Sequence, residues 1–352
     1  MKFSSQPAAP PTLNLTGQTG IITGASSGIG YAAATTLLSY NLTHLIITVR
    51  TERKGTDAAT KLRKQYPNAR IDVWMLDMLS YESIRAFVAR CQRELDRVDF
   101  VVLSAAVGHP RFERAPGTNH EVSFQVNYLS TVLLAVLLLP VLREKRASVD
   151  GGGAGAGAGG PSNLKPGKIT IIGSGMALTS KLTEAGTNKE PPTTTLFSAL
   201  DDPKHWDYQG RYATTKLLLC MFVKKLAEHV RADDVVLNLV DPGLVRQTGQ
   251  EASGSRVTKV LFGILRAVMG RSLAAGAWTY VDAAVVKGGE SHGSWLCNWG
   301  VFPFPALMYT EHGKRATEML WEETLADLDF AGVRGILASM GAVPGSAPAP
   351  AA

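Results

Sequence analysis

Cysteine is scarce: Cys91, Cys220 and Cys297 are the only three among 352 residues, widely separated and odd in number. That excludes a disulfide framework and points to a reducing compartment, read here as the cytoplasm. The opening residues, Met-Lys-Phe-Ser-Ser-Gln-Pro, lack the apolar stretch of a secretory signal. No apolar run is expected to span a membrane. The most apolar one, Leu129 to Leu142, contains Ser130, Thr131 and Pro140 and is expected to be a buried helix. Peripheral contact with a membrane stays open. His-Glu-x-x-His and paired Cys/His spacings are missing, so no metal is expected. Basic runs interleaved with aromatics are missing too, so nucleic acid is not an expected partner.

What is present suits a chain with a real core: 45% hydrophobic and 19% charged residues, with a net charge of +6. Part of the basic excess crowds into Arg50, Arg53, Lys54, Lys61, Arg63, Lys64 and Arg70. Beyond Lys54 a solvated helix face explains it equally well. Short β-branched runs at Gly20–Thr23, Leu45–Val49, Ile71–Met75, Phe100–Leu103, Ile169–Ile172 and Val235–Val240 predict strands. Helix-periodic segments separate them, among them Glu82–Leu95, His120–Leu142 and Tyr212–Val230. Alternation of this kind predicts one doubly wound α/β domain, a parallel sheet covered on both faces. Its expected limits are residues 15–330, between tails at 1–14 and 331–352. A Gly/Ala-rich loop at 150–162 cannot pack a core and is read as a surface loop without function.

The first strand runs into Thr23-Gly24-Ala25-Ser26-Ser27-Gly28-Ile29-Gly30 and then an Ala-rich segment. Glycines allow a tight turn and a close backbone approach, and a helix start offers N–H groups to a pyrophosphate. A tight turn alone would use the same glycines. The pattern resembles the Thr-Gly-x-x-x-Gly-x-Gly turn of short-chain dehydrogenases/reductases. That resemblance implies a Rossmann-type fold and a nicotinamide cofactor held by Gly24, Ser26, Gly28, Ile29 and Gly30. Arg50 stands where users of NAD carry an acid, so Arg50, with Lys54, points to the 2′-phosphate of NADP(H). Asp77 matches the family residue at the adenine, although alone it reads as a helix N-cap. Ser104-Ala105-Ala106 departs from the family's Asn-Ala-Gly, and Ser104 is carried over as a cofactor contact.

Tyr212-Ala-Thr-Thr-Lys216 places a phenol and an ammonium on one helix face, and no other Tyr-x-x-x-Lys occurs in the chain. A free Tyr is a poor base near neutrality, and a nearby cation favours its phenolate. Ser174, at the end of the fifth strand, is placed to hydrogen-bond the reacting oxygen. By the resemblance these three are the catalytic residues, and Asn127 is the helix asparagine that relays through water to the lysine. Asn127 alone reads equally as a buried polar group at a kink. Asp241-Pro-Gly-Leu-Val245 matches the turn beside the nicotinamide, with Val245 and Thr248 as contacts; Thr248 lies one position late.

Ser174 and Tyr212 lie much further apart than in compact family members, so the insertion at about 177–207 is expected to cover the pocket. The apolar stretch Val257–Met269 reads as core packing or as a wall for a lipophilic substrate. The C-terminal third adds elements expected to be helical, and Arg271–Tyr280, Glu290–Gly293 and Leu320–Thr324 resemble fungal reductases of secondary metabolism related to retinol-type dehydrogenases. The function so implied is NADP(H)-dependent interconversion of a ketone or aldehyde and an alcohol on a small lipophilic molecule. A catalytically silent NADP(H)-binding regulatory or scaffold protein is the alternative, and a homodimer through the Asn127 helix stays open.

Overall fold

A computed structural model describes residues 6–146, 165–180, 182, 195–246 and 270–341. Its centre is an eight-stranded sheet: β1 (Thr19–Thr23), β2 (His44–Val49), β3 (Arg70–Met75), β4 (Phe100–Leu103), β5 (Gly167–Ile172), β6 (Val235–Asp241), β7 (Ser294–Cys297) and β8 (Gly300–Phe302). The order is β3-β2-β1-β4-β5-β6-β7-β8, and every pair is parallel except the terminal β7–β8 hairpin. The sheet is therefore mostly parallel, with a small antiparallel edge. Chain order reverses between β1 and β4, so their following loops diverge and open a crevice at their carboxyl ends.

Strand composition explains the layering. β1 and β6 are buried at every position, as expected of strands covered on both faces. β3, at the edge, has exposed ends, and Arg63 donates to the Ile71 carbonyl on that edge. On one face lie α1 (Gly28–Ser39), α2 (Glu52–Gln65) and α7 (Leu273–Val281), sharing a core with Leu15, Ile47 and Trp278. On the other lie α3 (Tyr81–Glu94), α4 (Val122–Glu144), α5 (Leu196–Leu200), α6 (Tyr208–Ala227), α8 (Glu311–Asp327) and α9 (Val333–Met340). α4 contains a π-turn at Gln125–Leu129. By length and hydropathy α4 could cross a membrane, yet 89% of its apolar window is buried within the protein. It is the core helix of this layer.

Three boundaries differ from expectation. α6 begins at Tyr208, a turn ahead of Tyr212, because Asp207 caps it by accepting from Gly210 N–H at 2.8 Å. The expected tail at 331–352 contains α9, whose Val333, Leu337 and Met340 are buried at helical spacing against the first core. Within the expected tail at 1–14, Ala9 and Leu13 pack on the second core. Of the insertion expected to cover the pocket, residues 181 and 183–194 lie outside the described residues, and residues 195–207 include α5, which packs inward. Leu196, Phe197 and Leu200 join the first core, and Glu323 of α8 accepts from the Leu196 and Phe197 N–H groups, both at 2.8 Å. The Gly/Ala-rich loop, Thr248 and Val257–Met269 lie outside the described residues.

Candidate active site

The crevice is built first from backbone. Thr23, ending β1, accepts through its hydroxyl from the N–H groups of Ser104 (2.8 Å) and Ala105 (2.9 Å), which fastens the end of β4 beside the glycine turn. Gly24 has φ +68°, and a Cβ there would meet the Ala105 Cα at 3.1 Å, so the small residues after β4 permit this crossing. Gly28 has φ +59° but nothing within 4 Å of a Cβ, so it faces open space. α1 starts at this glycine, its Ser27 cap makes no side-chain bond, and no acid occupies its first turn. Its N–H groups and positive dipole end therefore face the crevice, a fit for a pyrophosphate. Ser26 and Ile29 flank that start half-buried, and Gly30 is buried against the Gly24 carbonyl.

At the far end of the crevice Arg50, just after β2, and Lys54, in the first turn of α2, are exposed. Among the described residues neither side chain takes part in an ion pair or hydrogen bond. Asp77 is half-buried; its Oδ1 accepts from Leu79 N–H at 3.0 Å. It is not the cap of α3. Ser80 is, accepting from Ser83 N–H at 3.1 Å.

The other end gathers the candidate reactive side chains. Ser174 follows β5 and caps the short turn Gly175–Thr179, accepting from Met176 N–H at 3.2 Å. That turn packs along α6, where Ser180 and Thr214 share a hydroxyl hydrogen bond of 3.0 Å. Tyr212 is half-buried on α6 and Lys216 follows one turn later, buried, with its Nζ 5.6 Å from the Tyr212 ring centroid. Lys216 Nζ donates to the Ile172 carbonyl at 2.7 Å. Burial pulls its pKa down to about 8, against the opposing influence of Cys220 and Asp241.

Asn127 sits in the π-turn of α4. Its Oδ1 accepts from Val107 N–H and its Nδ2 donates to Val107 O, each at 2.8 Å, with Thr215 Oγ1 at 3.3 Å from Nδ2. The side chain thus clamps the segment after β4 against α6, a positioning arrangement. Val245 is buried and forms an isolated bridge with Arg271 through Leu244 O and Arg246 N, so its own peptide groups point the other way.

Two residues of the crevice escaped sequence reasoning. Asp241 ends β6 almost fully buried; it accepts from Gly243 N–H at 2.9 Å and from the Cys297 thiol at 3.8 Å. A Cβ on Gly175 would come 3.1 Å from its carboxylate, so the charge lies on the backbone beside Ser174. Burial, with Asp241 adding to it, pushes the Cys297 thiol up to about 11. The available signal was one acid closing the otherwise uncharged run Val-Val-Leu-Asn-Leu-Val-Asp. Tyr280 of α7 is the other, with its hydroxyl 3.3 Å from Ser104 Oγ. No pattern around it distinguishes it from core.

A glycine turn and helix start at one end, and a hydroxyl, phenol and ammonium at the other, suit proton exchange with an oxygen beside a bound dinucleotide. The profile of the family described as short chain dehydrogenase matches residues 18–149, the glycine turn included. Over 340 residues, the short chain dehydrogenase/reductase mfmJ of Annulohypoxylon moriforme is 43% identical, covering 96% of this chain and 93% of that one. The short chain dehydrogenase virL of Hypocrea virens is 35% identical, covering 96% and 92%. Among solved structures, L-sorbose reductase of Gluconobacter frateurii, determined with NADPH and L-sorbose, has a TM-score of 0.56 at 21% identity, covering 81% of this chain and 96% of that one.

Proposed function

This chain belongs to the short-chain dehydrogenase/reductase family, and from that premise we propose that it is an NADP(H)-dependent oxidoreductase interconverting a ketone or aldehyde and an alcohol. The observation that carries the reading is the buried Lys216 one turn from Tyr212, packed against the Ser174 turn at the carboxyl end of β5. The nicotinamide, when bound, supplies or accepts hydride. Tyr212 gives a proton to the carbonyl oxygen in reduction and takes it back in oxidation. Lys216, as a cation beside the phenol, lowers the cost of the phenolate, and the Ser174 hydroxyl orients the substrate oxygen.

Preference for NADP(H) is supported by Arg50, an exposed guanidinium with no partner among the described residues, at the strand end expected to meet the ribose. A lipophilic substrate is supported by Met176 and Leu178, which stay 37% and 49% exposed in the turn directly after Ser174. Fungal relatives at this identity support a place in secondary metabolism. Two copies pairing through α4 would need that helix uncovered; α3 and α9 pack over it, which disfavours pairing through that helix. Three buried free thiols are in keeping with the cytoplasm. A silent scaffold is disfavoured, since it has no use for an ammonium held in so costly a site as that of Lys216.

Fluorescence titration of the purified protein with NADPH and NADH tests the reading. NADPH is expected to bind at least about ten-fold tighter than NADH, and Arg50→Asp to remove the difference, since a charge-assisted bond is worth about 1.5–3 kcal/mol. Equal binding of both by the wild-type protein would remove Arg50 from its role.

A further inference from the structure

Tyr280 has no part in the chemistry above, yet it reaches the floor of the crevice. Its helix α7 packs on α1, and Ala277, Trp278 and Val281 around it are buried in the second core. Tyr280 is itself 3% exposed. A phenol buried that deeply needs a polar partner. Ser104 supplies it: the serine hydroxyl donates to Tyr280 Oη at 3.3 Å. Ser104 cannot drift, because its N–H is held at 2.8 Å by the Thr23 hydroxyl.

The direction of that bond matters. A serine hydroxyl has one proton and two acceptor lone pairs. With the proton turned down to Tyr280, the half-buried Ser104 presents only an acceptor to the crevice above. The complement of an acceptor is a donor, and on a dinucleotide at this end of the crevice that donor is a ribose hydroxyl. Burial, and then the neighbouring Tyr212 and Asp241, raise the Tyr280 phenol far above its ordinary range although the Ser104 bond opposes this, so Tyr280 stays neutral. It cannot serve as a second acid or base.

We infer that Tyr280 is a positioning residue which, by accepting the Ser104 proton, fixes Ser104 as an acceptor for a ribose hydroxyl of the cofactor. The inference rests on the cofactor reading above and adds a residue to it. The test is NADPH affinity, by fluorescence titration, of the wild-type protein, Tyr280→Phe, Ser104→Ala and the double variant, with the melting temperature of each cofactor-free protein alongside. Loss of one net hydrogen bond raises the dissociation constant about five-fold. Each single variant is expected to lose about that much, and the double variant no more than Ser104→Ala alone, because Tyr280 acts through Ser104. A purely structural tyrosine would lower the melting temperature and leave affinity unchanged, which would overturn the inference, as would losses that multiply. Should Tyr280→Phe fail to fold, Ser104→Ala carries the test, and unchanged affinity there overturns it. A wild-type protein that binds neither nucleotide would overturn the cofactor reading and this inference together.

Discussion

At Lys216 burial disfavours the ammonium and pulls its pKa down to about 8. On the proposed mechanism the Lys216 cation, present below about 8, stabilises the Tyr212 phenolate; above it the cation is lost. In reduction kcat/KM is therefore expected to fall as pH rises through about 8, because that ratio reports the free enzyme's groups. A profile flat from about pH 7 to 9.5 would show that Lys216 does not control the reaction. That Ser174, Tyr212 and Lys216 come together at one end of the sheet was legible in the sequence. Tyr212 and Lys216 share a helix face by spacing alone, and Ser174 closes a recognisable β-strand. Asp241 and Tyr280 were not legible, because their importance lies in what burial places beside them, and burial of a single residue leaves no periodic trace.

Among the elements, α4 and α6 are held together next to Tyr212. Glu121, wholly buried before α4, accepts from Phe124 N–H at 2.9 Å and pairs with Arg211, also buried, at 3.6 Å. Arg211 immediately precedes Tyr212, so the pair sets the start of α6 against the helix that carries Asn127. Removing one partner of a buried pair leaves the other charged without compensation. Glu121→Ala is expected to destabilise the fold by about 3–5 kcal/mol in urea unfolding; a loss below about 1 kcal/mol would show that the pair is dispensable. Most strands were legible from β-branched runs, since both faces of the sheet are covered. The β7–β8 hairpin and α9 were missed, because three- and four-residue strands and an eight-residue helix fall within the noise of such patterns. The early start of α6 was missed because its cap, Asp207, lies in the insertion, outside the Tyr-x-x-x-Lys spacing that marked the helix.

For the whole molecule, His120 joins parts distant in the chain. Its ring contacts Asp201, after α5, at 2.7 Å and Asp327, ending α8, at 3.1 Å, and lies edge-on to Phe124 and Phe197. Burial, the largest influence, opposes its charge, but the two carboxylates together overcome it and raise its pKa to about 9. Since the folded value lies above the unfolded one, this stabilisation is complete below about pH 6.5 and disappears as pH rises through about 9. His120→Gln should therefore lower the melting temperature markedly at pH 6 and little at pH 9.5; an equal loss at both would mean that packing, not charge, matters there. The single domain and its two helical layers were foreseeable from alternation of strand and helix. That Leu196–Leu200 of the insertion and the C-terminal helices close one core together was not, since the contacts joining them span most of the chain.

The central claim is that Tyr212 moves the proton while the rest of the crevice holds the cofactor. It is tested most directly by measuring NADPH binding and carbonyl reduction together on Tyr212→Phe. The expected result is binding within about three-fold of wild type and turnover reduced by about 100-fold or more, the scale of a lost general acid. Turnover near the wild-type rate with binding intact would contradict it.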